Sequence, residues 1–248
     1  MSGHSKWSQI KRKKGIKDQQ KGAVFTKISK LISLSVSENG ITDPANNIKL
    51  RLAIAQAKTA NMPKENIKRA IEKGTGPDKE SILDLTYEGF GPMGVVFMIH
   101  ATTDNQNRTH SQIKQTLERN NGKIGAQGSV SYQFRKCGLI TLNKASEKEV
   151  EVFKFSDEIQ AFDIDDDNDH YFIYFPFENM GKIPEKSNLK SEVNPELDYK
   201  PLAYVKINEA GTAKKILNLV TQIENIEDVH KVYSNFDIPE DIMENLEV

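Results

Sequence analysis

The spacing of hydrophobic residues changes near residue 85 from a helical to a strand-like period. In the first third of the chain, apolar side chains such as Val24, Ile28 and Leu31 recur every three or four positions, which is typical of amphipathic helices. The pair Asp43-Pro44 predicts a helix start with Asp43 as the N-cap, and Gly74 predicts a helix end. We therefore expect several short helices that share one small core.

Beyond Leu85 the apolar residues alternate with polar ones or form short runs, which favours strands. "LTYEGF" and "GVVFMIHAT" flank the turn sequence "GPMG", and a helix is predicted in "NRTHSQIKQTLERNNG". "SVSYQF" is predicted to be a further strand because Val130, Tyr132 and Phe134 alternate with polar residues. A second set of strands with one helix occupies 137–200, where the acidic "DDDND" predicts a turn between two strands, and a strand-helix-strand unit follows.

This order of elements predicts an α+β protein, in which an N-terminal helical domain is followed by two ferredoxin-like α+β domains, the third inserted into the second. The predicted domains are 1–78 (basic and helical), 79–136 together with 201–248 (α+β), and 137–200 (the acidic α+β insert). The strands on either side of the insert are expected to complete one sheet. No run of the sequence reaches the ~18 apolar residues of a membrane-spanning helix, so we expect no membrane partner.

The net charge of −1 conceals a strong separation of charge along the chain. Residues 1–74 contain 16 Lys and Arg against 5 Asp and Glu, a net charge of +11, whereas residues 136–248 contain 12 against 24, a net charge of −12. The basic end is expected to attract polyanions and the acidic end to repel them. The acidic insert would then face away from phosphates or bind a protein partner.

The densest basic segment is "KWSQIKRKKGIKDQQKGAVFTK", which contains a single acidic residue, Asp18. Such a segment either forms a solvated surface or binds an anion. The scarcity of acids leaves few ion pairs within the helix, and an indole among the cations is typical of stacking on a base or docking. We expect about 6 to 8 phosphate contacts with little base readout. The residues predicted to contact nucleic acid are Lys6, Trp7, Lys11, Arg12, Lys13, Lys14, Lys17, Lys21 and Lys27.

Motifs that would indicate other chemistry are weak. "GFGPMG" matches G-x-G-x-x-G, but a strand-forming sequence follows it, so we interpret it as a hairpin or tight loop. "DIDDDNDH" lacks the Gly and Glu of a calcium-binding loop. The histidines are scattered, and Cys137 is the single cysteine, which is too few for an internal disulfide or a cysteine zinc site. We expect no cofactor, no metal site and no enzymatic activity.

Two other classes of function stay open. An enzyme would use the "TDNQNR" segment, in which Asp104, Asn105, Asn107 and Arg108 converge, and a deep pocket that also contains His100 would support it. The simpler interpretation is a helix start, with Asn107 as the N-cap and Asp104 in a structural role. A purely structural adaptor would instead keep its function when the charges of the basic segment are reversed.

Six stretches carry a resemblance to one known family: "GHSKWSQIKRKKGIKDQQKGAVFTKISKLI", "DPANNIKLRLAIAQAKTANMPKENIKRAI", "YEGFGPMGV", "TTDNQNRTHSQIK", "GKIGAQGSVSYQF" and "IENIEDVHKVYSNFDIP". In these stretches, which together span nearly the whole chain, the sequence resembles the YebC family. That family includes bacterial probable transcriptional regulators and the mitochondrial translational activator of cytochrome c oxidase. The insert is the weakest match, since "DEIQAFDIDDDNDHYFIYFPF" lacks the family's Gly-Ala-Glu-Asp stretch.

The resemblance implies three domains, the third inserted into the second, and no established catalytic residues. It also implies a probable DNA-binding transcriptional regulator. The alternative is a ribosome-associated translation factor that binds ribosomal or transfer RNA and aids elongation through difficult stretches such as proline runs. Because only Met1-Ser2 precedes the "GHSKW" stretch, we expect a cytoplasmic protein without a presequence.

Overall fold

The structure, a computed structural model, describes residues 18–76, 82–183, 188–191 and 193–246. Its helices are α1 (Asp18–Ser37), α2 (Ile48–Thr59), α3 (Lys64–Thr75), α4 (Gln106–Arg119), α5 (Glu149–Glu158), α6 (Ala210–Glu224) and α7 (Glu240–Asn245). Its strands are β1 (Leu83–Phe90), β2 (Val96–Thr103), β3 (Lys123–Gly125), β4 (Phe134–Asn143), β5 (Asp163–Asp166), β6 (His170–Pro176), β7 (Glu196–Pro201), β8 (Val205–Lys206), β9 (Val229–Ser234) and β10 (Phe236–Asp237).

Helices α1, α2 and α3 form a bundle with its own buried core, which includes Ile32, Leu50 and Ala57. Helix α2 begins later than the sequence predicts, because its N-cap is Asn47 rather than Asp43. The buried side chain of Asn47 accepts a hydrogen bond from the Leu50 N–H at 3.1 Å and donates to the Ser35 carbonyl at 2.8 Å. These bonds tie the start of α2 to α1, whereas Asp43 only closes an exposed turn.

Small residues let α1 and α3 approach closely. Ser33 of α1 donates its hydroxyl to the Ala70 carbonyl at 2.7 Å. A Cβ added to Gly74 would lie 2.6 Å from the Ser33 carbonyl oxygen, so only glycine fits at this point of the crossing. The same two faces, between Thr26 and Ser33 on α1 and between Asn66 and Lys73 on α3, line an open groove, described below.

The first sheet has the strand order β3-β1-β2-β9, with every neighbouring pair antiparallel. Helices α4 and α6 bury their apolar stripes against it, in a core that includes Phe97, Ile99, Ile113 and Ile216. Because β9 pairs with β2, segments from both sides of residues 137–200 contribute to this sheet.

The second sheet has the order β5-β6-β4-β7 and carries α5 on one face, over a core that includes Ile140, Phe155 and Phe175. β4 runs from Phe134 to Asn143, so the predicted boundary between 136 and 137 falls inside a strand. The α+β class, with N-terminal helices followed by sheets, is confirmed. Among the described residues no helix has the length and apolarity needed to cross a membrane.

The predicted strand "SVSYQF" is wrong over most of its length, because Ser131–Gln133 forms a 3₁₀ turn and only Phe134 begins a strand. The cause is Glu88, a carboxylate that is 4% exposed. It accepts hydrogen bonds from the backbone N–H groups of Gly128, Val130 and Ser131 at 2.5 to 3.0 Å. Because the backbone turns so that these three N–H groups donate to one carboxylate, they cannot also form hydrogen bonds with a neighbouring strand.

Candidate nucleic-acid interface

Most of the predicted basic segment lies outside the described residues. This holds for the side chain of Lys21, whose backbone belongs to α1, and for Lys6, Trp7, Lys11, Arg12, Lys13, Lys14 and Lys17. Lys27 is described, and its Nζ donates to the backbone carbonyl of Glu224 at 2.5 Å, at the end of α6. Lys27 therefore takes part in a contact between the bundle and the first sheet. Its role on nucleic acid, like that of the other eight residues, stays a prediction.

A buried carboxylate, Asp228, joins the bundle to the first sheet; its side chain is 1% exposed. Lys30 of α1 donates to Asp228 Oδ1 at 2.8 Å. Arg108 and Thr109 of α4 each donate to Oδ2 at 2.7 Å, and the Thr103 hydroxyl at the end of β2 lies 3.2 Å from the same oxygen. One side chain therefore links α1, α4 and β2, which fixes the orientation of α1 on the sheet.

The charge state of this cluster is stable near neutral pH. Burial acts to raise the pKa of Asp228, but hydrogen bonds from Lys30, Arg108 and Thr109 outweigh it and lower that pKa below its ordinary value. Burial likewise acts to lower the pKa of Lys30, yet its bonds to Asp228 and Glu227 raise it above the ordinary value. The cluster is thus a carboxylate held between two cations, without a group poised to exchange a proton.

A groove of about 300 Å³ opens between α1 and α3 on the surface of the bundle. Each helix contributes one face to it, at spacings of three and four residues, as expected for two helices packed side by side. Its cationic side chains are Lys30, Arg69 and Lys73. The other lining residues of the two helices are small or polar: Thr26, Ser29, Ser33, Asn66 and Ala70. The lining also includes the apolar Ile82, and among the described residues that line the groove none is acidic.

The "TDNQNR" segment is a helix start. The N-cap of α4 is Asn105, not the predicted Asn107, and its side chain accepts a hydrogen bond from the Arg108 N–H at 3.0 Å. Arg108 also pairs with Asp104 at 2.7 Å, which agrees with a structural role for that carboxylate. His100 lies apart from them, with its Nε2 3.2 Å from Asp84. The convergence that would support an enzyme is therefore missing from this part of the chain.

The remaining motifs have structural roles. "GPMG" closes the β1–β2 hairpin as predicted, with exposed Met93 at a φ of 61°. The acidic "DDDND" is a turn only in part, because Asp165 and Asp166 end β5 and residues 167–169 connect it to β6. Within the described ranges, no three His, Cys, Asp or Glu side chains are grouped to hold a metal ion. Burial and the nearby Asp198 raise the pKa of the Cys137 thiol to about 11, so this cysteine is a poor nucleophile.

Sequence reasoning missed the residues that the fold brings together here. Lys30 and Asp228 are almost two hundred positions apart, and neither stands out locally. A signal for the groove does exist in the sequence: Asn66, Arg69 and Lys73 share one face of α3 at i, i+3 and i+7. Using that signal requires knowing that this face lies beside α1, which only the packing shows.

Two models of the same protein family match this sequence, one in its N-terminal part and one in the remainder. The family model for the TACO1/YebC protein N-terminal domain matches residues 5–77. The model for the TACO1/YebC second and third domain matches residues 82–236. Together the two models cover nearly all of the sequence.

Individual relatives are similar over their whole length. A "probable transcriptional regulatory protein" of Rubrobacter xylanophilus is 41% identical, over 98% of each chain. One of Aquifex aeolicus is 39% identical, over 99% of this chain and 100% of that one. Among solved structures, a conserved hypothetical protein of Aquifex aeolicus superposes with a TM-score of 0.80 at 36% identity, covering 90% of this chain and 93% of that one.

Proposed function

The chain belongs to the TACO1/YebC family, and on that premise we propose that it is a non-enzymatic, nucleic-acid-binding regulator of transcription that acts on DNA in the cytoplasm. The basic N-terminal segment makes the main contacts with phosphates, and the acidic insert points away from them. The relatives named probable transcriptional regulatory proteins support the regulatory part of this proposal.

The observation that carries the proposal is the separation of charge. The first 74 residues hold 16 cationic side chains against 5 acidic ones, and the bundle they enter is held on the first sheet by Lys27 and Lys30. A cationic unit fixed on a chain whose other parts are neutral or acidic offers a polyanion a preferred region to bind.

Charge reversal tests the proposal. We expect the triple variant Lys11→Glu, Arg12→Glu, Lys13→Glu to lose at least 100-fold in affinity for a 30-base-pair duplex at about 0.15 M salt, since each lost phosphate contact is worth roughly fivefold there and each new carboxylate repels the DNA. Its matched control is Lys214→Glu, Lys215→Glu on α6, which reverses charge at exposed positions of another unit. Equal affinities for the wild type and the triple variant would support the adaptor instead.

A second measurement separates DNA from the ribosome as the target. Wild-type protein is sedimented with ribosomes and, separately, titrated with duplex DNA at physiological salt. Binding to DNA tighter than the nonspecific range of about 10⁻⁴ to 10⁻⁶ M supports action in transcription. Association with ribosomes combined with DNA binding only in that nonspecific range would overturn it in favour of a translation factor.

A further inference from the structure

The loop between β3 and β4, residues 126–133, is held in a fixed shape by a buried carboxylate. Glu88 accepts hydrogen bonds from the backbone N–H groups of Gly128, Val130 and Ser131 at 2.5 to 3.0 Å. Gly128 has a φ of 84°, a conformation that favours glycine. Because these bonds already order the backbone, the loop loses little conformational freedom when its outer side chains bind a ligand.

Tyr132 is the large side chain that this loop exposes to solvent. It is 70% exposed, more than any other aromatic residue that the structure describes. Its hydroxyl accepts a hydrogen bond from the Gln133 amide at 3.3 Å. A flat ring that stays exposed on an ordered loop is suited to stacking on another planar group, and every nucleobase offers such a face.

The chain on both sides of the loop is basic. Residues 119–146 contain five Lys and Arg and no Asp or Glu, which makes them the longest stretch of the sequence without an acid. Lys123 Nζ lies 5.2 Å from the centroid of the Phe90 ring, and Arg135 Cζ lies 3.6 Å from that of Phe162. Neither cation is ion-paired with a carboxylate of the described residues. An aromatic neighbour positions a cation without cancelling its charge, so both can attract an anion.

The small size of the exposed apolar surface favours a base over a protein as the ligand. The exposed neighbours of Tyr132 within the loop, Ala126 and Gln127, are small or polar, and Val130 is buried. Exposed Leu202, whose N–H donates to the loop, extends the apolar surface by one side chain. A specific protein interface covers about 800 Å² on each partner, which is far more than these side chains offer.

We propose that the β3–β4 loop binds an unpaired nucleotide, whose base stacks on Tyr132 while Lys123 and Arg135 attract the neighbouring phosphates. The inference rests on the proposed function and adds to it a site formed by a different part of the chain from the segment 6–27. The Glu88 carboxylate does not oppose this ligand, because it is buried and bonded to three N–H groups, and the base itself is neutral.

This site discriminates between single strands and duplexes. A paired base is already stacked between its neighbours, so a duplex does not offer a free face to Tyr132. Stacking tolerates any base, and phosphate contacts carry no sequence information, so the site selects unpaired segments without reading their sequence. RNA and single-stranded DNA share this chemistry, and the experiment below distinguishes them.

The test uses the full chain and three fluorescent probes: a 20-nucleotide RNA without self-complementarity, the DNA strand of the same sequence, and the corresponding DNA duplex. At about 0.15 M salt we expect Tyr132→Ala to lower affinity about 5- to 30-fold for the single strands and less than twofold for the duplex. The slope of log K against log salt should stay unchanged in Tyr132→Ala, because stacking releases no counterions. Lys123→Gln, Arg135→Gln should instead make the slope for a single strand shallower by about 1.4, since each contact contributes about 0.7.

The matched control is Phe153→Ala, which removes an aromatic side chain that is 48% exposed on α5 of the acidic insert. It should change affinity less than twofold for every probe, whereas Tyr132→Trp should retain wild-type affinity. Circular dichroism should show that all variants are folded.

A loss confined to the RNA or to the DNA strand supports the site and identifies which of them supplies the nucleotide. An equal loss for strand and duplex, or no loss for any probe, overturns the inference. If Tyr132→Ala binds all three probes like wild type while Lys11→Glu, Arg12→Glu, Lys13→Glu does not, only the inference fails and the proposed function stands. Absence of wild-type binding to all three probes overturns both.

Discussion

The Asp228 cluster makes a quantitative prediction about how the bundle is held on the first sheet. In the variant Asp228→Asn the carboxylate is replaced by an amide of the same shape, while Lys30 and Arg108 keep their positive charges. Removing one partner of a buried ion pair costs about 3 to 5 kcal/mol. The lower end applies, because the side chains of Lys30 and Arg108 are 21% and 44% exposed and regain water.

We therefore expect Asp228→Asn to lower the free energy of unfolding by about 3 kcal/mol. At a slope of about 2 to 3 kcal/mol per molar urea, the unfolding midpoint followed by circular dichroism should fall by about 1 to 1.5 M. The matched control is Asp104→Asn, which removes a carboxylate from the same Arg108. That carboxylate is 47% exposed, so its loss should cost about 0 to 1 kcal/mol.

Acid should remove the difference between wild type and Asp228→Asn. The folded-state pKa of Asp228 is lowered, so its contribution is fully present above the unfolded-state value of about 3.9 and is lost as the pH falls toward the folded-state value. The gap between the two proteins should be constant from pH 5 to 7 and shrink below about pH 4. If Asp228→Asn is no less stable than Asp104→Asn at pH 7, the carboxylate does not stabilise the junction.

Three further predictions concern single buried groups. Glu88→Gln should lower the free energy of unfolding by about 2 kcal/mol at pH 7. Burial acts to raise the pKa of Glu88, but the hydrogen bonds from Val130, Gly128 and Ser131 outweigh it and lower that pKa, so the loss measured by urea unfolding should be full above about pH 4.5 and fade below it. A difference between the two proteins that grows in acid would contradict this direction. The thiol of Cys137, buried and with its pKa raised to about 11, should react with a disulfide reagent at pH 8 at least 100-fold more slowly in the folded protein than in urea; equal rates would contradict its burial. Asn47→Ala should lower the free energy of unfolding by about 2 to 3 kcal/mol, since it removes the α2 cap and the hydrogen bond to the Ser35 carbonyl. Asp43→Ala, at the residue predicted as the cap, should lower it by less than about 1 kcal/mol in the same urea titration.

These contrasts show how far the sequence determines the fold. The three- and four-residue spacing placed α1, α2 and α3, because local periodicity reports which face is buried. Alternation placed β1, and a short apolar run placed β2. The exact cap residues were wrong at α2 and α4. In both places two or three polar residues adjoin, and the choice among them depends on a distant partner, such as the Ser35 carbonyl for Asn47. Similarly, Val130, Tyr132 and Phe134 alternate like a strand, but Glu88 on β1 accepts hydrogen bonds from the backbone N–H groups of Gly128, Val130 and Ser131, and the strand begins only at Phe134.

The candidate site shows the same limit. The density of charge in 6–27 is a local property, so it could be recognised directly. The groove and the Asp228 cluster depend on residues that are far apart in sequence, and their identity follows from the packing of α1 against α3 and from its contact with Asp228, just before β9. Local sequence patterns therefore identified the N-terminal part as the basic one. Which of its side chains lie together with distant residues such as Asp228 follows only from the fold.

The salt dependence of binding tests the central claim most directly. For wild-type protein and a 30-base-pair duplex, 6 to 8 phosphate contacts predict a slope of log K against log salt between about −5 and −7, which should shrink in the Lys11→Glu, Arg12→Glu, Lys13→Glu variant. A slope near zero, or one unchanged in that variant, would contradict a basic N-terminal unit that binds phosphates.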